Sequence, residues 1–517
     1  MSTLSDPDAE PPRAVLIAVQ LPDADDGAFR SSIAEMHRLA RTLGITVAAT
    51  ITQKRRTLHA GTVIGSGKLE ELQALTGSGE QSATPPEDGE GQGHEPEDDD
   101  DRHRERDDAA TAEAEHEDDT EAEDADEDED GADPEGLDGA TRAAWEAARS
   151  ALASGRRGRE DRANDDRPAG AEPAVGFVLV DHDITPSQAR NLERATGAEV
   201  LDRTAVILEI FRRHARSRMA KAQVEIVRLQ YLVPRLREAG KGRDRQRGGI
   251  GGKGAGESSL ELDRRKIRDR IAELTREIAS LAEEQGTQRA RRRDMNRVAL
   301  VGYTNAGKST LMRALTGSEV YVADKLFATL ETTVRALSPE VRPRILVSDT
   351  VGFIDKLPHG LVASFKSTLD EALEAGLLAH VVDASDPNFE RQLTVTAEVL
   401  NEIGAGDVPR LLVFNKMDRV GDTAAEEARR ADLQARWPDA VIMSARRPHD
   451  MASLRAHLIA FFARDLVEGE VRIPYSRQSL RGEIFAHCEV LGERYDEDGV
   501  VFDVRAHPTV IERLRAA

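Results

Sequence analysis

Residues 298–311 constrain the fold more than any other part of this 517-residue chain. A short apolar run predicts a buried strand, and it leads into Gly302-Tyr303-Thr304-Asn305-Ala306-Gly307-Lys308-Ser309-Thr310. A helix-forming run follows, which completes the strand, loop and helix of a phosphate-binding loop with the pattern G-x-x-x-x-G-K-S. Backbone N–H groups would surround the phosphates, Lys308 would contact the β- and γ-phosphates, and Ser309 would offer a hydroxyl to Mg²⁺. The stretch therefore predicts a nucleoside triphosphate site.

Apolar segments alternate with helical patterns from this loop toward the C-terminus. The predicted strands are residues 297–301, 344–348, 378–383, 410–414 and 440–443. Alternation of this kind is typical of a doubly wound α/β domain with a parallel sheet. We place this P-loop domain, the G domain, at residues 295–466.

Two shorter motifs follow the loop and supply further metal and phosphate ligands. In Phe327-Ala328-Thr329-Leu330, the Thr329 hydroxyl is a candidate Mg²⁺ ligand. Asp349-Thr350-Val351-Gly352 comes after an apolar strand, where Asp349 would hold Mg²⁺ and the Gly352 N–H would contact the γ-phosphate.

Two strand-end motifs indicate that the base is guanine. They are Asn415-Lys416-Met417-Asp418 and Ser444-Ala445-Arg446. The Asp418 carboxylate can accept from both donors of the guanine N1/N2 edge, which adenine lacks, and a backbone N–H of the second motif can reach guanine O6. The order of the motifs predicts GTP hydrolysis, with Lys308, Thr329 and Gly352 as the catalytic groups around an in-line water.

The residue after Gly352 is Phe353, at a position where a glutamine often orients the attacking water. We interpret Phe353 as a packing residue. The chain then offers no obvious group to orient the water, so we expect slow intrinsic hydrolysis that a partner stimulates.

The part of the chain before residue 206 predicts a second α/β unit. Residues 1–12 are interpreted as a flexible tail, and residues 13–205 as an N-terminal parallel α/β domain because they begin a βαβ pattern. Residues 79–172 interrupt it with low-complexity sequence. Residues 87–135 alone hold 27 Asp or Glu against three Arg, which equals the formal net charge of −24. This composition predicts a disordered acidic insertion. A passive solubilising role is favoured, with cation binding or RNA mimicry as alternatives.

Residues 206–294 predict a basic helical hairpin. One helix is expected over about residues 204–235 and a second over about 260–293, with an apolar seam in the second. Residues 211–300 hold 24 Lys or Arg against 12 Asp or Glu. The joining loop, residues 240–259, is rich in Gly and Arg, and we expect Arg243, Arg245, Arg247 and Lys253 to contact rRNA phosphates. Residues 467–517 predict a small α+β C-terminal domain.

Other features of the sequence indicate the cellular compartment in which the protein works. Cys488 is the single cysteine, which excludes an internal disulfide and a multi-cysteine zinc site. The N-terminus lacks an apolar signal core, and no apolar run approaches the length of a membrane span. We expect a cytoplasmic monomer without membrane insertion, and peripheral membrane association stays open. His359 and His487 lack metal-ligand spacing and are interpreted as structural.

Taken together, the motifs resemble those of the HflX-type GTPases. The likeness includes Leu326-Phe327-Ala328-Thr329-Leu330 and, outside the nucleotide motifs, Ile64-Gly65-Ser66-Gly67-Lys68, Asp202-Arg203-Thr204, Leu229-Gln230-Tyr231 and Gly248-Gly249-Ile250-Gly251. The resemblance implies a Mg²⁺-dependent GTPase that cycles between GTP and GDP. It also implies binding to the large (50S) ribosomal subunit and its rRNA, stimulation there, and splitting or rescue of stalled 70S ribosomes under stress. Three features depart from the family pattern: the acidic insertion, Ala255 where proline is usual, and Ile354-Asp355-Lys356, where a basic residue often follows the isoleucine.

Two other functions remain open. One is a GTP-dependent assembly or maturation factor for the large subunit that binds rRNA. The other is a small-molecule phosphotransferase, which the 415–418 motif disfavours.

The glycine motif Gly65-Ser66-Gly67-Lys68 is interpreted as a helix-opening turn, because no Ser or Thr follows the lysine. A second nucleotide site in the N-terminal domain is the alternative interpretation.

Overall fold

The computed structural model describes residues 11–77, 175–240, 259–290, 295–317, 326–330, 332–357, 361, 366–477 and 479–516. The predicted acidic insertion and nearly all of the predicted basic loop lie outside the described residues, as do Arg243, Arg245, Arg247, Lys253 and His359. The described chain forms three sheets with their helices, and a long helical hairpin.

The N-terminal domain is built on a four-stranded parallel sheet with the order β2-β1-β3-β4. Its strands are β1 (Arg13–Gln20), β2 (Thr46–Lys54), β3 (Val175–Val180) and β4 (Glu199–Asp202). Its helices are α1 (Asp26–Thr42), α2 (Ser66–Thr76), α3 (Pro186–Thr196) and α4 (Arg203–His214). Helices α1 and α4 cover one face of the sheet, and α2 and α3 cover the other. Strand β1 is buried along nearly its whole length, as a central parallel strand must be.

The helix starts in this domain follow from local side chains. Helix α3 opens with a capping box, in which Thr185 accepts from the Gln188 N–H and Gln188 accepts from the Thr185 N–H. Helix α4 opens with Asp202, whose Oδ1 accepts from the Ala205 N–H at 2.7 Å. Each side chain satisfies a backbone donor that a helix terminus leaves free.

The single helix predicted over about residues 204–235 is wrong, because the chain breaks there into α4 and α5 (Arg218–Gly240). Ala215 is extended, with φ −65° and ψ 118°, and is buried. The Ser217 hydroxyl then accepts from the Ala220 N–H at 3.1 Å and restarts the helix. Helix-forming residues continue through the break at Ala215. The helical spacing of the apolar residues therefore did not indicate that the helix ends there.

The predicted hairpin consists of α5 and α6 (Ser259–Ala290). Ile267 and Leu274 of α6 are buried against α5, and Ile271 and Ile278 are partly buried beside them. The i, i+3 and i, i+4 spacing of these residues forms one apolar stripe, and the other faces of α6 carry charges.

The G domain contains a six-stranded sheet with the order β10-β9-β8-β5-β7-β6. Its strands are β5 (Asn296–Gly302), β6 (Thr333–Ala336), β7 (Ile345–Asp349), β8 (Leu377–Asp383), β9 (Arg410–Asn415) and β10 (Val441–Ile442). Its helices are α7 (Lys308–Thr316), α8 (Lys366–Leu373), α9 (Phe389–Glu402), α10 (Thr423–Arg436) and α11 (Pro448–Ala463).

The parallel sheet predicted for the G domain is confirmed, and it carries one further edge strand, β6, that was not predicted. Strand β6 pairs antiparallel to β7, and the other pairs in this sheet are parallel. Only residues 337–344 connect β6 to β7, and a parallel crossover needs a dozen residues or more. The short connection therefore dictates an antiparallel edge strand.

The C-terminal part of the chain forms a three-stranded antiparallel sheet with the order β11-β13-β12. Its elements are β11 (Val467–Pro474), α12 (Leu480–His487), β12 (Glu489–Tyr495), β13 (Gly499–Ala506) and α13 (Pro508–Ala516). One face of the sheet packs on α12 and α13 around Phe502, and Cys488 is buried in that core.

A single apolar cluster joins the N-terminal domain to the G domain. It contains Leu39 and Phe211 from the first and Phe327 and Ile354 from the second. The rings of Phe211 and Phe327 have centroids 4.6 Å apart. The loops that follow the phosphate loop are thus part of a core shared with the N-terminal domain.

Truncation of Leu16, which is fully buried in β1, should destabilise the N-terminal domain. We expect Leu16→Ala to lower the free energy of unfolding by about 2–5 kcal/mol, because it removes buried methyl groups and leaves a cavity. Urea denaturation followed by circular dichroism measures the change. Leu75→Ala is the matched control, since Leu75 is 41% exposed on α2 and should lose far less. Equal losses for the two variants would contradict the fold.

Candidate functional site

The phosphate loop runs between the end of β5 and the start of α7, and two of its positions admit only glycine. Gly302 has φ +146°, and a Cβ there would lie 2.2 Å from the Val381 carbonyl oxygen. Gly307 has φ +100°, and a Cβ there would lie 2.4 Å from Asn415 Nδ2. The loop therefore depends on glycine both for its backbone conformation and for its contact with neighbouring strands.

Lys308 is the first residue of α7, and its side chain is buried inside the loop. Its Nζ donates to the carbonyl oxygens of Gly302 at 3.0 Å and Tyr303 at 2.9 Å. Burial lowers the pKa of Lys308 to about 8, although the nearby Asp349 carboxylate opposes the shift. The geometry holds a lysine cation at the centre of the loop.

Three oxygen-bearing side chains predicted as metal ligands lie together beside the loop. Asp349 Oδ2 accepts from Ser309 Oγ at 2.7 Å and from Thr329 Oγ1 at 3.0 Å, and the two hydroxyls lie 2.8 Å apart. Asp349 is fully buried, which raises the pKa of its carboxyl group. Its Oδ1 has no hydrogen-bond partner among the described residues. A buried carboxylate oxygen without a partner, next to two hydroxyls, fits the hard oxygen ligands that Mg²⁺ prefers.

The guanine motifs lie at the carboxyl ends of β9 and β10 and are tied to the phosphate loop. Asn415 Nδ2 donates to the Ala306 carbonyl at 3.0 Å, and Asn415 Oδ1 accepts from the Ala445 N–H at 2.9 Å. Asp418 Oδ1 accepts from Ser444 Oγ at 2.6 Å. Arg446 lies 3.6 Å from Asp418 Oδ2. The loops predicted to hold the base and the phosphates thus form one connected framework.

Two acidic residues that support this framework were missed by sequence reasoning. Asp383, at the end of β8, accepts from Lys416 Nζ at 2.7 Å. Asp450 accepts from the Ser444 N–H at 2.8 Å. The position of Asp383 at a strand end was a usable signal, because its neighbouring strand ends in the predicted 415–418 motif.

Residues 349–357, which we call switch II, pass directly over the phosphate loop. The Phe353 N–H donates to the Gly302 carbonyl at 3.1 Å, and the Thr304 N–H donates to the Phe353 carbonyl at 2.7 Å. The Phe353 ring is 2% exposed and packs with Val301 and Leu378. Phe353 is therefore a packing residue, as its apolar character indicated.

The structure also shows where the other candidates lie. Residues 326–330, which we call switch I, have Leu326, Phe327 and Leu330 buried against the N-terminal domain. Lys68 pairs with Glu71 at 2.6 Å on the surface of α2, which agrees with a helix-opening turn at Gly65. Among the described residues, the Asp, Glu, His and Cys side chains form no cluster suited to a metal ion.

Sequence reasoning did not anticipate a polar cluster between the phosphate loop and the N-terminal domain. Tyr303, from the loop, donates through its hydroxyl to Glu35 of α1 at 2.6 Å. Arg203, from α4, pairs with the same carboxylate and with Asp181 at 2.7 Å. Burial raises the pKa of Glu35, and the Arg203 cation opposes that rise. The motif 202–204 was recognised as characteristic, but its spatial partners are far away in sequence.

The protein families that match this chain are GTP-binding proteins, which agrees with the nucleotide site described above. The family model described as "50S ribosome-binding GTPase" matches residues 297–416. The models "GTP-binding GTPase N-terminal" and "GTP-binding GTPase Middle Region" match residues 30–83 with 166–212 and residues 214–292, respectively. The fold, the loop and these matches define a P-loop GTPase, an enzyme that binds and hydrolyses GTP.

Similar sequences identify the family. The chain is 50% identical over 506 residues to "GTPase HflX" of Gluconacetobacter diazotrophicus, covering 98% of this chain and 97% of that protein. It is 40% identical over 329 residues to "GTPase HflX" of Escherichia coli, covering 63% of this chain and 76% of that protein. The chain belongs to the HflX GTPase family.

Solved structures include a GTP-binding protein from Sulfolobus solfataricus in complex with GDP. Its sequence is 19% identical to this one, and the match covers 86% of this chain and 99% of the solved chain, with a TM-score of 0.38.

No helix within the described residues is both long and apolar enough to cross a membrane.

Replacement of Asp418 should change the base preference. We expect Asp418→Asn to weaken GDP binding about 10–100-fold, because the amide cannot accept from both guanine donors as a carboxylate does. The same variant should bind xanthosine diphosphate more tightly, and competition against a fluorescent GDP measures both effects. Asp422→Asn is the control, since Asp422 caps α10 and asparagine caps equally well. An unchanged affinity of Asp418→Asn for GDP would show that Asp418 does not contact the guanine base.

Proposed function

We propose that this GTPase binds the large (50S) ribosomal subunit through rRNA and splits or rescues stalled 70S ribosomes under stress. The observation that carries the proposal is the match of residues 297–416 to the family described as 50S ribosome-binding GTPases. The hairpin α5–α6 supports it, because exposed cations on α6 suit contact with RNA phosphates. These cations are Arg265, Lys266, Arg268 and Arg276. We further propose that the protein acts as a cytoplasmic monomer.

The proposed hydrolysis depends on positioning and on charge stabilisation. Residues 302–310 surround the phosphates with backbone N–H groups, and Lys308 balances the charge on the β- and γ-phosphates. The Gly352 N–H donates to the γ-phosphate, as its place above Lys308 allows. Ser309, Thr329 and Asp349 would hold Mg²⁺, which when bound neutralises charge on the phosphate oxygens.

The base contacts complete the proposed site. Asp418 accepts from the guanine donors, and the backbone at Ser444, Ala445 and Arg446 reaches guanine O6. Asn415 holds the base and phosphate loops together through its contacts with Ala306 and Ala445. Met417 and Val351, which belong to the same predicted nucleotide motifs, are buried beside these residues.

The burial of Phe353 supports the proposed stimulation of hydrolysis by the ribosome. Its ring packs in the G-domain core and its backbone is bonded to the phosphate loop, so it does not orient a water molecule. We expect slow single-turnover hydrolysis by the protein alone and faster hydrolysis with 50S subunits. A fast rate without ribosomes would contradict this part of the proposal.

A second function, GTP-dependent maturation of the large subunit, uses the same GTPase site and the same basic hairpin. Sucrose-gradient sedimentation distinguishes the two functions. Incubation of 70S ribosomes with the protein and GTP or a non-hydrolysable analogue should release 30S and 50S subunits, and incubation with GDP should not. Binding to immature large subunits alone, with 70S particles intact, would favour the maturation role.

Removal of the loop cations should weaken ribosome binding. We expect substitution of Arg243, Arg245, Arg247 and Lys253 by Gln to reduce 50S affinity and to lower the salt dependence of binding, because fewer phosphate counterions are released. Affinity measured at several salt concentrations tests this. The matched control replaces four exposed arginines outside the hairpin, Arg56, Arg335, Arg436 and Arg464. Equal losses in the two variants would show that overall charge, and not the hairpin loop, determines binding.

A further inference from the structure

The turn formed by residues 415–418 contains one residue in an unfavourable backbone conformation. Lys416 has φ +66° and ψ 29°, in the left-handed region that residues other than glycine rarely adopt. Such a conformation costs free energy and persists only where the surrounding structure holds it. Asn415 precedes Lys416, and Asp418 follows it by two residues. The conformation of Lys416 therefore sets how these two candidate nucleotide residues are placed relative to each other.

The neighbours of Lys416 are held by contacts from outside the turn. The Asn415 carbonyl accepts from the Ala384 N–H at 2.9 Å, just after the end of β8. Met417 is fully buried, and its N–H donates to the Met443 carbonyl at 3.3 Å. The chain thus enters and leaves the left-handed residue at fixed points.

The side chain of Lys416 is held by an ion pair with Asp383, the last residue of β8. Lys416 Nζ donates to Asp383 Oδ2 at 2.7 Å, and the two side chains are 12% and 17% exposed. The other oxygen, Asp383 Oδ1, accepts from the Ser385 N–H at 3.0 Å and from Ser385 Oγ at 2.6 Å. Asp383 is therefore oriented by its own loop before it meets the lysine. A charge-assisted bond of this geometry is among the stronger hydrogen bonds of a protein, so it can offset the cost of the left-handed residue.

We propose that Asp383 is a positioning residue for the guanine nucleotide. By pairing with Lys416, it keeps residues 415–418 in their binding conformation before the nucleotide arrives. A preformed loop raises affinity, because binding then need not order the loop. This role requires no contact between Asp383 and the nucleotide. The inference rests on the proposed assignment of residues 415–418 to the guanine base.

A positioning role predicts a uniform effect on guanine nucleotides. GDP and GTP carry the same base, so loosening of the turn should weaken the binding of both by the same factor. The choice between bases depends on the Asp418 carboxylate, which is held separately by Ser444 Oγ at 2.6 Å. Substitution of Asp383 should therefore lower affinity without changing base preference, whereas substitution of Asp418 should change base preference.

Asp383→Asn tests the proposal, because it removes the negative charge and keeps the size of the side chain. Titration gives the Kd values of a fluorescent GDP and a fluorescent non-hydrolysable GTP analogue, and competition gives that of xanthosine diphosphate. We expect both guanine Kd values to rise about tenfold, as is typical for the loss of a hydrogen bond between charged groups. The ratio of the Kd values of GDP and xanthosine diphosphate should stay at the wild-type value. Release of the fluorescent GDP should be faster than from the wild-type protein.

Asp386→Asn is the matched control. Asp386 lies in the same loop, three residues after Asp383, and is also partly buried. Its carboxylate accepts from the Asn388 N–H at 2.9 Å and from Gln392 Nε2 at 2.8 Å, and neither bond involves Lys416. This variant should keep the wild-type affinities. A similar loss of affinity in both variants would overturn the proposal, because it would show a general effect of loosening the loop after β8.

A second background tests whether Asp383 acts through Lys416. Glycine adopts φ +66° without strain, so the turn of Lys416→Gly does not depend on the ion pair for its conformation. Asp383→Asn should cause no further loss of affinity when it is added to Lys416→Gly. A tenfold loss in both backgrounds would overturn the proposal, because effects that simply add indicate independent sites.

Thermal unfolding without nucleotide shows whether each variant is folded. Asp383→Ser, which also removes the charge, replaces Asp383→Asn if that variant is unfolded, with the same expected results. Unchanged or tighter GDP binding by the folded variant would overturn the proposal, because Lys416 would then be positioned without Asp383. Failure of the wild-type protein to bind guanine nucleotides would instead contradict the GTP site itself.

Discussion

A buried guanidinium must be paired, and the contact between the two α/β domains is organised around that requirement. Arg203 is 1% exposed, and its charge is met by Glu35 on α1, by Asp181 at the end of β3 and by the Asp355 carbonyl of switch II. Removing one partner of a buried ion pair is strongly destabilising, because the other charge is left without compensation. The N-terminal domain, switch II and the phosphate loop are therefore held in one relative arrangement as long as this cation stays buried.

The nucleotide site depends on a different constraint, the common edge at which parallel strands end. Strands β5, β7, β8 and β9 deliver Gly302, Asp349, Asp383 and Asn415 to the same side of the G-domain sheet. Each strand-end residue then contacts another loop, as Asn415 does with Ala306 and Ala445. The sheet places the loops along one edge, and side-chain hydrogen bonds then fix the loops relative to one another. Because each loop follows a different strand, the candidate site residues come from distant parts of the sequence.

Much of this arrangement could be predicted from the sequence, and the exceptions have physical causes. The phosphate loop, the strand series and the hairpin seam are local patterns of glycine spacing and apolar periodicity. The break at Ala215 lies between two segments that both favour helix, so only tertiary packing reveals it. The antiparallel β6 depends on connection length and not on composition. The bond between Glu35 and Tyr303 joins residues far apart in the chain, and no local pattern encodes such a pair. The motif 202–204 drew attention to Arg203, but its role required the fold.

The edges of the sheets have a consequence for how the protein behaves in concentrated solution. Edge strands expose backbone donors and acceptors that can pair with another molecule. Here β4 and β6 have four residues each and β10 has two, so these edges offer little length for pairing. The longer edge strand β12 is interrupted by an irregularity between Val490 and Gly492, and β11 alternates outward charges before ending at Pro474. The nine-residue edge strand β2 of the N-terminal sheet also carries an irregularity, at its register shift opposite Ala14 and Val15. Short length, irregularities and charges at these edges therefore limit pairing with a strand of another molecule.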